Sequence, residues 1–229
     1  MSNEKQNNKV FLKGKIVGEK RFSHEVYGEG FYETDIAVER LSGQTDVLPI
    51  TVSERLMGDY FEQGKDVAII GQFRSYNKLV DGKSKLLLTV FVREIVDYDT
   101  MKNPNSIVLS GFVCKQPTYR TTPFSREIAD LLIAVNRAYN KSDYIPCIAW
   151  GRNARFVKSI PVGERVCISG RIQSREYQKK ISETEAKTLT AYEVSISKLA
   201  AYDNVDNFDL DLELGLVDEK PAEELKEII

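Results

Sequence analysis

The chain repeats itself at long range. Val10 to Arg40 can be laid over Ile107 to Arg137 at a constant offset of 97 residues. Gly14 then falls on Gly111, Ala37-Val38 on Ala134-Val135, Arg40 on Arg137, Asp46 on Asp143 and Pro49 on Pro146. After a slip the offset becomes 99, which places Gly64 on Gly163, Gly71 on Gly170 and Ser75 on Ser174. A self-match at so long a period implies two copies of one domain rather than a solenoid of small units. With 229 residues the chain has room for two domains of roughly 100 residues each. Positions where the copies agree point to the shared fold, and positions where they differ point to a division of labour.

Each copy reads mostly as strand. In the second, the runs are Ser106 to Cys114, Ile128 to Asn136, Tyr144 to Trp150, Arg165 to Gln178 and Leu189 to Tyr202. Arg152 to Ile160 has helical spacing and ends at Pro161-Val162-Gly163. The first copy repeats this order with Val10–Val17, Tyr32–Glu39, Asp46–Val52, Lys65–Tyr76 and Leu86–Asp99, and a short helix over Ser53 to Phe61. Asp81-Gly82 marks a hairpin tip. Five strands with a helix between the third and fourth is the element order of an OB-fold. The expectation is an all-β chain of two tandem OB-folds, five-stranded Greek-key barrels with one short helix each. Gly71 and Gly170 fall in mid-strand, where glycine permits a bulge or sharp bend. The divisions are an arm over 1–9, a first domain over 10–99, a linker over 100–105, a second domain over 106–202 and a tail over 203–229. The tail composition predicts disorder.

Charge is segregated along the chain. The tail from Asp203 holds ten acids and two lysines, the first copy is net −3 and the second net +7. A basic second domain implies a polyanionic partner. No apolar run approaches the ~20 residues of a membrane span, and Met1 to Lys9 lacks the apolar stretch of a signal peptide, so the expected location is the cytosol. Cys114, Cys147 and Cys167 sit in apolar strand-like runs and read as packed, reduced thiols. His24, the single histidine, lies in a polar stretch between strands and reads as a loop residue. No nucleophile motif, phosphate-binding glycine loop or metal-ligand cluster appears, so neither an enzyme nor a cofactor is expected.

Modules that bind single-stranded nucleic acid combine cations that follow phosphates with rings on which bases stack. The second copy has both. Tyr139, Tyr144, Trp150 and Tyr177 supply the rings, and Arg137, Lys141, Arg152, Arg171 and Arg175 lie near them in sequence. Such rings often serve a core instead. The first copy decides between the two readings, because it carries Ser42, Val47, Ser53 and Lys78 at those four positions while core positions hold their character: Val166/Val67, Ile168/Ile69, Ile172/Phe73. Rings required by the shared fold would not all vanish from the copy that keeps the fold. The first domain either extends the track through Arg74, Tyr76 and Lys78 or chiefly builds an oligomer. A rival reading is a protein-interaction scaffold, which has no need of the aromatic set. Stacking alone does not separate DNA from RNA, since that needs contacts at the 2′-hydroxyl.

At SIVLSGFV, LLIAVNR, DYIPCIAWGRNA and GERVCISGRIQSREY the second copy resembles the bacterial single-stranded DNA-binding protein family in order and spacing. The first copy is similar more weakly, at LKGKIVG, TDIAVER and GKDVAIIGQFRSY. The resemblance implies sequence-tolerant binding of single-stranded DNA in replication, recombination and repair, with stacking rings at Tyr139, Tyr144, Trp150 and Tyr177. It also implies a homodimer bringing four OB-folds together at the nucleoid. Family tails usually close on an Asp-rich tip with Pro-Phe that recruits partner enzymes, and this chain ends without that dipeptide. Its tail offers Phe208, Leu210, Leu212, Ile228 and Ile229 as candidate docking residues for replication and repair proteins. It reads equally as a solubilising segment, and a third reading has Phe208 to Leu214 adding a strand or packing on a barrel.

Overall fold

A computed structural model describes residues 7–80, 82–99, 102–180, 186–209 and 213–214. The first domain comprises β1 (Asn8–Ile16), β2 (Arg21–Val26), β3 (Glu29–Glu39), β4 (Thr45–Ser53), β5 (Asp66–Val80) and β6 (Lys83–Val96). The second comprises β7 (Asn105–Val113), β8 (Thr118–Thr121), β9 (Glu127–Arg137), β10 (Lys141–Trp150), α1 (Arg152–Val157), β11 (Arg165–Lys180) and β12 (Ala186–Ala201). In each, five strands close a barrel. β1 pairs with both β3 and β5, and β4 meets β6 in a short parallel contact. β7, β9, β10, β12 and β11 repeat the circuit. The chain is a pair of OB-folds.

Alternation drives this closure. Along β9, Leu131, Ile133 and Val135 are buried while Asp130, Leu132 and Ala134 between them face outward, the period of a strand with one apolar face. Tight bends come from Gly71 and Gly170, where the ladder slips a register. A Cβ on Gly71 would sit 2.5 Å from the Phe91 carbonyl oxygen, and one on Gly170 2.1 Å from that of Ser195. Only a residue without a side chain lets the strands cross so closely.

Three expectations need correction. The helix over Ser53 to Phe61 is a run of turns ending in one 3₁₀ turn at Asp59–Phe61, whereas its counterpart forms α1. Gly58 within that stretch weakens a helix, while Ala154 and Val157 in α1 are both buried. Each domain also has a sixth strand, β2 or β8, that hydrophobic pattern did not announce, because most of its residues are exposed. His24 therefore lies on a strand, β2, paired with Phe31. The segment after β12 is also partly fastened. Val205 is buried, Arg165 reaches Asp206 at 3.3 Å, and Leu214 is buried against Phe11, Ala68 and Val108. This is the packing reading of the tail, held further by Glu213, which accepts from Lys198 Nζ at 2.8 Å and Ser169 Oγ at 3.1 Å. Phe208 is half-buried. Leu210, Leu212, Ile228 and Ile229 lie outside the described residues.

The two barrels form one twelve-stranded sheet because β1 pairs antiparallel with β7. Val10 faces Ile107, its own counterpart in the repeat, and Asn8 faces Leu109 as Leu12 faces Asn105. This register places a local two-fold axis at Val10. The same symmetry governs the seam. Asp143 Oδ1 accepts from the Ser75 N–H at 2.8 Å, and Asp46 Oδ1 accepts from the Ser174 N–H at 2.8 Å. Each aspartate holds its own domain's arginine, Arg137 at 3.1 Å and Arg40 at 2.6 Å. Asn8 brackets both the N–H and the carbonyl of Phe73, and Asn105 does the same at Ile172. Of the polar residues that survive in both copies, Asp46/Asp143 and Ser75/Ser174 fasten the domains to each other, while Asn8 and Asn105 each hold the neighbouring strand of their own domain.

Candidate nucleic-acid interface

Outward residues of β8 to β12 line a groove of about 730 Å³. Trp150 closes the end of β10, with Ile148 beside it and Ile128 across from it on β9. β11 contributes Arg171, Gln173 and Arg175, and β12 contributes Glu193, Ser195 and Ser197. The β8–β9 hairpin adds Arg120 and Arg126, and the first domain adds Arg40 across the seam. Five arginines thus surround one tryptophan.

Their availability differs. Arg126 is exposed and has no carboxylate partner among the described residues. Arg171 gives one contact to Gln173 at 3.4 Å, and its Nε is buried without a partner among the described residues. Burial, and then the nearby Arg40, push its pKa down, so an added negative charge would be stabilising there. Arg175 reaches the buried Glu193 at 3.5 Å and lies 5.9 Å from the centre of the Tyr177 ring. Glu193 also accepts from Gln173 at 2.8 Å. Arg120 pairs with Asp130 at 3.1 Å, both largely exposed, a pair worth little in water. Arg40 is tied to Asp46 through two nitrogens.

The groove gathers Trp150, Arg171 and Arg175 from the residues named in the sequence. The others lie elsewhere on the second domain. Tyr144 shares the outward face of β10 with Trp150 but stands at the seam, where its N–H donates to Ser75 Oγ at 2.7 Å. Tyr139 is fully exposed at the β9–β10 turn, in the left-handed region at φ +61°. Tyr177 is half-exposed on the long arm of β11, and Arg152 is exposed at the start of α1. Arg137 is engaged with Asp143, and Lys141 is exposed beside the same turn. Of the first-domain candidates, Lys78 is exposed. The Tyr76 hydroxyl donates to Glu33 at 3.0 Å, and burial with that carboxylate raises its pKa to about 12.

Sequence reasoning missed Arg120, Arg126 and Arg40. The first two belong to the hairpin whose first strand it did not detect. Arg40 belongs to the other domain, so only the seam brings it in. The Thr-Tyr-Arg-Thr-Thr-Pro run before Phe124 was the available signal, since its alternation of Thr118, Arg120 and Thr122 is that of an outward strand face.

Residues 104–200 match the Single-strand binding protein family. A single-stranded DNA-binding protein of Halalkalibacterium halodurans is 30% identical over 117 residues, spanning 45% of this chain and 70% of that one. Single-stranded DNA-binding protein 1 of Staphylococcus aureus is 35% identical over 83 residues, which are 33% of this chain and 50% of the relative. The chain thus spans about half the length of that staphylococcal protein. Among solved structures, a deletion mutant of the single-stranded DNA binding protein from Thermus aquaticus overlays with a TM-score of 0.61. It covers 94% of this chain and 97% of its own at 19% identity, a likeness of fold.

Proposed function

Because this chain belongs to the single-strand binding protein family, we propose that it binds single-stranded DNA without strong sequence preference and protects it during replication, recombination and repair. The observation that carries this reading is the arginine-lined groove at Trp150. Bases stack on Trp150, Tyr144, Tyr177 and Tyr139. Phosphates are met by Arg126, Arg152, Arg171 and Arg175, with Arg120 released from its exposed pair as a phosphate arrives. Arg137 acts mainly at the seam, holding Asp143. Each stacked base contributes ~1–3 kcal/mol as judged by alanine substitution, and affinity falls with salt by a log–log slope of about −0.7 per phosphate neutralised. The protein works as a homodimer in the cytosol, at the nucleoid, with four OB-folds, and segments beyond 214 dock replication and repair proteins. Among the described residues no helix is long and apolar enough to cross a membrane.

Trp150 is the sole tryptophan, so its emission reports on the groove. Titration with oligo-dT, duplex DNA and oligo-U should give strong quenching with oligo-dT. No change with any of the three at low salt defeats the reading. A second test installs the first-copy residues, Tyr139→Ser, Tyr144→Val, Trp150→Ser and Tyr177→Lys, and follows a labelled oligo-dT by anisotropy. Retention of wild-type affinity would show that these rings do not carry binding.

A further inference from the structure

The first domain does carry outward rings, at other positions of the same face. The repeat places Phe31 on Ile128 and Arg74 on Gln173, and the ladders place His24 on Arg120, since His24 pairs with Phe31 as Arg120 pairs with Ile128. The ladders place Phe91 on Ser195, since Gln72 pairs with Phe91 as its counterpart Arg171 pairs with Ser195. Arg93 then falls on Ser197, each being the residue left over at its domain's bulge. Ile128, Gln173, Ser195 and Ser197 all line the groove of the second domain. The corresponding face of the first domain therefore presents two phenylalanines, a histidine and two arginines.

These side chains form one assembly. The His24 ring stacks on Phe31 with centroids 4.9 Å apart and planes 10° apart, and Phe31 lies 5.6 Å from Phe91. The guanidinium carbons of Arg74 and Arg93 stand 4.3 Å and 5.0 Å from the Phe91 ring centre. Both arginines share a single acceptor, Gln72 Oε1, at 2.7 Å and 3.3 Å, and neither has an ion pair among the described residues. Burial lowers the Arg74 pKa to about 10, with Arg137 and Arg93 adding to the effect and Asp143 opposing it. Phe31 and Phe91 are not needed to close this barrel, because the second domain closes with Ile and Ser in their places.

We propose that His24, Phe31 and Phe91, with Arg74 and Arg93, form a second single-strand platform whose chemistry differs from that of the Trp150 groove. Bases stack on the His24–Phe31 pair and on the exposed guanidinium of Arg93, while the two arginines take a phosphate between them. Tyr144 joins the platforms, since its backbone is bonded to Ser75, the neighbour of Arg74. This inference rests on the proposed function, and the test separates the two.

The test uses the full chain and a variant carrying the second-domain residues, Phe31→Ile, Arg74→Gln, Phe91→Ser and Arg93→Ser, which a barrel of this design already tolerates. Oligo-dT of about 10 nucleotides, within the site size of one OB-fold, is titrated by calorimetry and by Trp150 quenching. Wild type should bind two per chain and the variant one, with Trp150 quenching unchanged within about twofold. For an oligo-dT of about 30 nucleotides the variant should bind at least tenfold more weakly. The milder pair Arg74→Gln/Arg93→Ser should reduce its salt slope by about 0.7, one phosphate's worth. One short strand per wild-type chain with intact quenching overturns this proposal alone, as does unchanged long-strand affinity in the variant. Two short strands per wild-type chain without Trp150 quenching overturns the groove reading and leaves the first-domain platform standing. Failure to bind either oligonucleotide overturns both.

Discussion

Removing Asp46 should loosen the two domains from one another as well as destabilise the chain. Its side chain is fully buried, and its two oxygens take Arg40 Nε and an Arg40 terminal nitrogen, both at 2.6 Å, together with the Ser174 N–H of the other domain. Asp46→Ala removes a charge-assisted bond to a backbone donor, worth ~1.5–3 kcal/mol, and leaves that donor unpaired at a further ~1–3 kcal/mol. Arg40 is only one-fifth exposed, so part of its lost pairing is not recovered by water. We expect about 4 kcal/mol in total, within the range for breaking a buried pair. At ~2–4 °C per kcal/mol for a chain of this size, Tm should fall by roughly 8–16 °C. Asp143→Ala removes the equivalent bond to Ser75 but a weaker ion pair, one contact at 3.1 Å to an arginine one-third exposed. It should cost about 2–3 kcal/mol. Guanidinium unfolding followed by far-UV circular dichroism and by Trp150 emission measures both. The probes should coincide in wild type and separate in Asp46→Ala, because Trp150 belongs to the second domain whereas circular dichroism reports on both. A cost below about 1 kcal/mol for Asp46→Ala, or a larger one for Asp143→Ala, would refute this account of the seam.

The bulge glycines should be equally intolerant. Gly170→Ala places a Cβ 2.1 Å from a backbone oxygen, so the strands must part, and a loss of about 3 kcal/mol or more is expected in the denaturant midpoint. Thiol labelling of the native chain should modify Cys114 first and leave Cys147 and Cys167 untouched until unfolding. Those two are buried, and burial also pushes the Cys147 thiol well above its ordinary pKa. Prompt labelling of all three by mass spectrometry would contradict that packing. Leu214→Ala should lower stability by about 2 kcal/mol, and limited proteolysis should then cut after Val205 more readily than in wild type.

The barrels were legible because their determinants are local and periodic. Alternation along β9 and β11 and the mid-strand glycines are written in short windows, and the repeat states them twice. The missed strands, β2 and β8, have no buried face to set a pattern, so sequence saw Arg21 to Val26 and Thr118 to Thr121 as polar connections. The helix expected over Ser53 to Phe61 failed where Gly58 interrupts it, though the spacing of apolar residues matched α1. Of the site, Trp150, Arg171 and Arg175 were visible because they sit on strands whose outward row could be counted. Arg40 was invisible as a groove residue, since its place there depends on β1 meeting β7 across the seam.

The conserved half of the repeat and the divergent half answer different physical demands. Arg40/Arg137, Asp46/Asp143 and Ser75/Ser174 are identical in both copies, and the two-fold seam uses each of them twice. A substitution in one copy would leave its partner's buried polar group unpaired, at a cost of ~1–3 kcal/mol. Outward positions carry no such penalty. Ile128 can stand where Phe31 does, and Ser53 where Trp150 does, without disturbing either core. The symmetric frame therefore leaves the two outer faces free to acquire different rings, and Leu214 marks where the symmetry ends. It packs on Phe11 and Val108, which are equivalent positions in the two domains, but also on Ala68, whose counterpart is Cys167. One tail cannot cover a two-fold axis equally, so it must favour one side. Ala68→Leu should fill the space that Leu214 occupies and release the segment. The expected signature is loss of the Glu213–Lys198 pair together with faster proteolysis after Val205, while Trp150 quenching by oligo-dT stays unchanged. If the segment stays protected in Ala68→Leu, its anchor is the Glu213 carboxylate and not the apolar contact.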